Sequence, residues 1–255
     1  MSRPSSGETR PLTLVTGGTR GIGAAIAARL AGAGHDLVLG YRSDVDAAAA
    51  TVARVRALGA SADAVRADLT RAADVDALFA AAAKCGQLTG VVNNAGATYE
   101  FAPLAATPVE SVERTIAVNL TAPLLVARAG VLAMSTEFGG AGGVIVNISS
   151  GAATLGSPGE YVHYAAAKAG LDTMTRGLGL EVAAAGIRVV GVAPGLIDTD
   201  LHATTGDPGR VARMAPQIPL GRAGAPDEIA GTVAWLMSDE AAYVTATTLR
   251  VAGGR

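Results

Sequence analysis

Residues 160–170, EYVHYAAAKAG, put two tyrosines and a lysine on a stretch of helical character. A helix would stack Tyr164 and Lys168, four apart, one above the other, and would also bring Tyr161, seven from the lysine, to that face. A phenol and an ammonium so placed could share in proton transfer, and whether they do must come from the rest of the chain. A phenol with a pKa of about 10 is a poor proton relay near neutrality, and an ammonium one turn away favours its ionised form. Spacing alone does not separate the two tyrosines, and a solvated helix pair would show the same pattern.

A second chemical feature is TGGTRGIG, residues 16–23, which directly follows an apolar strand-like run and opens a helix. A strand, a glycine turn and a helix N-terminus together present backbone amides and a positive dipole end to a phosphate. The glycines Gly17, Gly21 and Gly23 do not follow GxGxxG, and no GKS or GKT follows, which excludes a Walker loop. In this context the turn points to a dinucleotide.

The elements that must position these residues alternate along the chain. Short β-prone runs (12–17, 36–41, 62–68, 88–96, 142–150, 186–195 and 247–253) are separated by alanine-rich helical stretches (24–34, 46–59, 73–86, about 107–137, 162–184 and 226–237). This predicts βαβ units, a parallel sheet of seven strands and helices on both faces. VVN, VIVNI and VVGV are apolar on both alternations, as strands buried on two faces should be. The long irregular segment is 195–225, rich in glycine and proline, and it is the candidate substrate loop. Its polar residues include Asp198, Asp200, His202, Arg210 and Arg213, a mixture that selects no substrate.

A chain of 255 residues with 50% hydrophobic content can bury one sizeable core, so residues 12–255 read as one domain behind a flexible tail, 1–11. A net charge of −2 offers no basic excess for nucleic acid. Cys85 is the single cysteine, and His35, His163 and His202 lack metal-ligand spacing, so neither a disulfide nor a metal is expected. The N-terminus lacks a signal peptide's apolar run, and no stretch reads as long enough to span a membrane. The expectation is a cytoplasmic protein with a small-molecule partner.

TGGTRGIG, NNAG at 93–96, Asn119 in AVNL, ISS at 148–150, YAAAK at 164–168 and APG at 193–195 occur in an order that resembles the short-chain dehydrogenase/reductase family from about Leu12 to Gly254. The resemblance implies a Rossmann-like, doubly wound sheet of order 3-2-1-4-5-6-7 that binds a nicotinamide dinucleotide at its strands' carboxyl ends. It implies cofactor contacts from Gly17, Thr19, Arg20, Gly21, Ile22 and Gly23 of the glycine turn. Asn94, Ala95 and Gly96 would lie near the adenosine side, Asp68 and Leu69 near the adenine. Pro194, Gly195, Ile197 and Thr199 would meet the carboxamide and pyrophosphate.

Just past the second strand, an acid would accept from a ribose 2′-hydroxyl and repel a 2′-phosphate. Tyr41 stands there, followed by Arg42 and Ser43, and Arg20 could converge with Arg42 on one phosphate. The reading is NADP(H) in preference to NAD(H), with Asp44 close enough to blunt the preference.

By the same resemblance, Tyr164 is the general acid in reduction and the base in oxidation. Lys168 is its electrostatic partner and a ribose ligand. Ser150 hydrogen-bonds the substrate oxygen, and Asn119 holds a bulge in its helix and a water that relays protons to Lys168. Tyr161 falls too early after Ser150 for this role. Against about twelve residues in the family's common pattern, thirteen separate Ser150 from Tyr164, and the turn GSPGEYV is where a loop absorbs the extra length cheaply. Strand alternation points Ser149 to the opposite side from Ser150. Near the C-terminus, Ala246 and Ala252 replace a glycine and an acid commonly seen in relatives.

The implied activity is hydride transfer between the nicotinamide and a carbonyl or secondary alcohol. Candidate substrates are those of a ketoreductase, of a 3-oxoacyl-(acyl-carrier-protein) reductase or of a glucose-dehydrogenase-like enzyme. The small side chains of helix 164–184 fit a homo-oligomer, a dimer or tetramer, and equally a buried core face. The competing reading is a cofactor-binding regulatory or scaffold protein without turnover.

Overall fold

The computed structural model describes residues 10–199 and 209–255. Apolar runs become strands whose two faces are both covered: every residue of β1 (Leu12–Thr16) is buried. β2 (Asp36–Tyr41), β3 (Ala62–Arg66), β4 (Leu88–Asn93), β5 (Gly143–Ile148), β6 (Ile187–Pro194) and β7 (Thr247–Val251) complete the set. Among the described residues they form one sheet of order β3-β2-β1-β4-β5-β6-β7, parallel throughout, as expected.

Side-chain alternation divides the core in two. On one face Val15, Leu39, Val146 and Val190 pack with Ile26 and Leu30 of α1 (Gly21–Gly32) and with Val55 of α2 (Val45–Ala57). On the other, Leu14, Val38, Val91 and Ile145 meet Leu78 of α3 (Ala72–Cys85). Chain order reverses beside β1, whose neighbours are β2 and β4, and a crevice opens there at the strands' carboxyl ends.

The helix expected over about 107–137 is three pieces: α4 (Val109–Ile116), a π-helical turn (Ala117–Thr121) and α5 (Ala122–Met134). This run of 26 residues is long and apolar enough to cross a membrane by length and composition, which corrects the expectation that no stretch reaches that size. Its packing assigns it to the domain core: Val126 and Met134 are fully buried in the cluster of Leu78 and Ile145, and Asn119 is buried in the π turn.

After β5 come α6 (Ala152–Leu155), a tight turn, and α7 (Val162–Glu181). The turn contains left-handed backbone at Gly156, Ser157 and Gly159, with Ser157 at φ 47. Ala246, where relatives commonly carry glycine, also sits in the left-handed region, at φ 57. The segment 195–225 is closed at its base, where Asp198 N donates to Gly224 O and Gly224 N to Leu196 O, both at 2.9 Å. Past it lie α8 (Arg210–Met214) and α9 (Pro226–Leu236). Asp200 and His202 fall outside the described residues. So does most of the tail, but Arg10 and Pro11 belong to the domain: Arg10 pairs with Asp36 at 3.1 Å, and Asp36 N donates to Pro11 O.

Candidate active site

The glycine turn is shaped by close backbone approach. A Cβ on Gly23 would lie 2.1 Å from Gly17 O, and one on Gly17, itself at φ 60, would lie 3.0 Å from Ala95 Cα. Asn94 ties the two loops together, its Nδ2 donating to Thr16 O and Gly17 O, each at 3.0 Å. Thr16 Oγ1 accepts from the amides of Asn94 and Ala95. No side chain caps α1, so its first-turn amides remain available to an anion in the crevice. Thr199 stands over the turn, its Cγ2 3.7 Å from a Cβ built on Gly21.

The turn forms one end of a cleft of about 920 Å³. Gly17, Thr19, Arg20, Gly21, Ile22 and Gly23 line it, with Asn94, Ala95 and Gly96 opposite and Pro194, Gly195, Ile197 and Thr199 along a third side. Tyr41, Arg42, Ser43 and Leu69 border that same end. Asp68 differs: its carboxylate accepts from the hydroxyl of Thr70 at 2.7 Å and from the Thr70 amide at 3.1 Å, bonds that hold it below the usual carboxylate range. Arg20 and Arg42 both line the cleft, where Arg20 pairs with Asp44 at 3.6 Å and Asp44 also caps α2 by accepting from Ala47 N.

The reacting groups converge at the opposite end. Lys168 is 3% exposed on α7 and donates from Nζ to Ile148 O at 2.8 Å. Burial lowers its pKa to about 8, although Asp172 one turn on opposes the shift. Tyr164 is hydrogen-bonded to the Ser150 side chain, and burial pushes its pKa up to about 12 against that bond. The ammonium donates to a carbonyl and lies 5.8 Å from the phenol ring's centroid.

The two serines follow the end of β5, and both border the cleft. Ser149 is buried and donates to Lys168 O, whereas Ser150 stands beside Tyr164. Asn119 stands behind them in the π turn, fully buried, donating to Ala97 O at 2.7 Å and Thr115 O at 2.9 Å. A Cβ on Gly96 would lie 2.8 Å from Asn119 Oδ1 and 3.5 Å from Lys168 Nζ, so both polar groups crowd the same backbone point.

On the open side of Tyr164, Tyr161 packs edge-on against it, with ring centroids 5.4 Å apart, and against Phe101 at 4.7 Å. Arg210 reaches in from α8 and forms a paired salt bridge with Glu160. Sequence reasoning missed Glu160 and Phe101. They come from separate loops, and a contact between residues 50 positions apart leaves no periodic signal.

A family model described as enoyl-(acyl carrier protein) reductase matches residues 17–255. The uncharacterized oxidoreductase YgfF of Escherichia coli (strain K12) is 43% identical over 96% of this chain and 99% of its own length. The 3-oxoacyl-(acyl-carrier-protein) reductase of Synechocystis sp. is 38% identical over 96% of this chain and 97% of its own. Among solved structures, a short chain dehydrogenase from Burkholderia cenocepacia J2315 in complex with NADP superposes with a TM-score of 0.87 at 33% identity, covering 96% of this chain and 97% of that one.

Proposed function

The chain belongs to the short-chain dehydrogenase/reductase family, and on that premise we propose that it is an NADPH-dependent carbonyl reductase in which Tyr164 supplies the proton. The observation that carries this reading is the convergence of Ser150, Tyr164 and Lys168 at one end of a cleft whose other end is an uncapped helix N-terminus. When bound, the nicotinamide cofactor supplies the hydride.

The chain's own residues do the rest. Ser150 and the Tyr164 hydroxyl donate to the substrate oxygen and stabilise charge that builds on it during reduction. Burial holds Tyr164 in the protonated form needed for that donation. Lys168 keeps a positive charge near the ring, and its bond to Ile148 O fixes where that charge sits. Asn119 braces the Ala97 backbone and the π turn, which positions Gly96 beside Lys168. In the oxidative direction Tyr164 accepts the proton.

Residues at the far end support NADP(H). Tyr41 replaces the acid that would repel a 2′-phosphate, and Arg42 is exposed at the cleft rim. The Arg20–Asp44 pair is solvent-exposed and worth little, so a dianionic phosphate can draw Arg20 away from it. The NADP complex of the Burkholderia relative supports the same choice, and the Synechocystis relative's name supports a 3-oxoacyl type of substrate. Apolar side chains left exposed at Leu124 and Leu132 on α5 and Leu249 on the edge strand support a homo-oligomer.

The test is a panel of ketones, 3-oxoacyl thioesters and sugars incubated with NADPH and, separately, NADH. The reading expects NADPH oxidation matched by alcohol formation. Cofactor binding with no carbonyl reduced and no alcohol oxidised would replace it with the scaffold reading.

A further inference from the structure

Three segments distant in sequence meet on the open side of Tyr164: the loop holding Phe101, the turn ending in Glu160 and Tyr161, and α8. Arg210, the first residue of α8, is only 5% exposed. Its Nη1 donates to Glu160 Oε1 at 2.9 Å and its Nη2 to Oε2 at 2.7 Å. The guanidinium lies 5.1 Å from the Phe101 ring centroid and 5.7 Å from that of Tyr161, whose ring abuts Tyr164. Leu155, Pro158, Leu196 and Met214 line the same cleft.

A guanidinium fork matches a carboxylate or a phosphate, and here an internal carboxylate fills both of its prongs. The positive charges of Arg213 and Arg255 also favour the ionised form of Glu160. We propose that Glu160 determines specificity: by filling Arg210's fork it reserves the slot beside Tyr164 for neutral carbonyl compounds with an apolar or aromatic body, and withholds from substrate a cation that would receive a carboxylate or phosphate. An anionic substrate entering beside Tyr161 loses its hydration and finds the Arg210 fork already paired, Arg250 and Arg255 being the other arginines of that part of the cleft among the described residues. The inference rests on the reductase reading and extends it to substrate class.

The experiment measures kcat/KM with NADPH for acetophenone, para-acetylbenzoate and para-(aminomethyl)acetophenone, using wild type, Glu160→Gln and Arg210→Met. Wild type should prefer acetophenone to the anionic analogue. Glu160→Gln should raise the acetylbenzoate-to-acetophenone ratio at least about tenfold, and Arg210→Met, which uncovers Glu160, should raise the ratio for the cationic analogue instead. Equal losses for all three compounds would make the pair a structural strut and overturn the proposal. If Glu160→Gln does not fold, the Arg210→Met ratio decides; if neither variant folds, a wild-type preference for acetylbenzoate overturns the proposal and the opposite preference upholds it. Reduction of other carbonyl compounds but of no acetophenone would sink this inference and leave the reductase reading in place. NADPH oxidation with no carbonyl at all would remove the reductase reading itself.

Discussion

Tyr164 and Lys168 sit in environments that move their proton affinities in opposite directions from their free values, to about 12 and about 8. The proposed reduction uses a protonated phenol and a charged ammonium, and the shifts place both conditions below about pH 8. As pH rises through the lowered lysine value, Lys168 loses its charge while Tyr164 still carries its proton. Reductive kcat/KM should therefore be level up to about pH 8 and fall above it, whereas a plateau extending to pH 10 would show that the lysine charge plays no part. The serines offer a second residue-level test. Ser150→Ala should lower kcat about 10²-fold, while Ser149→Ala, which removes only a bond to Lys168 O, should leave most of it. Loss of turnover in Ser149→Ala with Ser150→Ala intact would reverse the assignment. Both serines lie just past β5, so a strand's period of two does not by itself choose between them, and this pair of variants does. The raised tyrosine was not legible in the sequence, because desolvation depends on what the fold packs around the ring.

At the level of elements, the glycine turn and the π turn do the positioning. Gly23 allows α1 to start against the Gly17 carbonyl, so Gly23→Ala should weaken NADPH binding at least about tenfold in a fluorescence titration. Unchanged affinity would mean that the turn does not hold the cofactor. Strand and helix positions were readable from apolar runs and alanine-rich stretches, and their ends shifted by only a few residues. The division of the expected helix by the π turn at Asn119 was not readable from periodicity, since the helix that follows, APLLVARAGVLAM, is apolar on most sides and hides a change of phase. The resemblance supplied the bulge there. The turn between α6 and α7 was legible from its glycines and proline, but left-handed backbone at Ser157 was not apparent from its residue type.

For the whole molecule, the parallel sheet followed from alternating strands and helices and its strand order from the family resemblance, and the cleft lies at the point where that order reverses. What joins distant loops was not legible: the Glu160–Arg210 bridge and the Arg20–Asp44 pair exist only once the chain is folded. Arg42, exposed at the cleft rim, and Arg20, held by that exposed pair with Asp44, are the candidates for the 2′-phosphate. Arg42→Ala should reduce the NADPH-over-NADH preference about 10-fold or more in kcat/KM, and an unchanged ratio would place the discrimination elsewhere. The central claim joins the two ends of the cleft in one reaction, with the cofactor held at the glycine turn and the proton delivered by Tyr164. The most direct measurement follows NADPH binding by fluorescence and carbonyl-dependent NADPH oxidation by absorbance in wild type and Tyr164→Phe. The expected result is equal NADPH affinity in the two proteins, with turnover in the variant lower by about 10²–10⁴-fold. A Tyr164→Phe protein that reduces carbonyls at the wild-type rate would contradict the account.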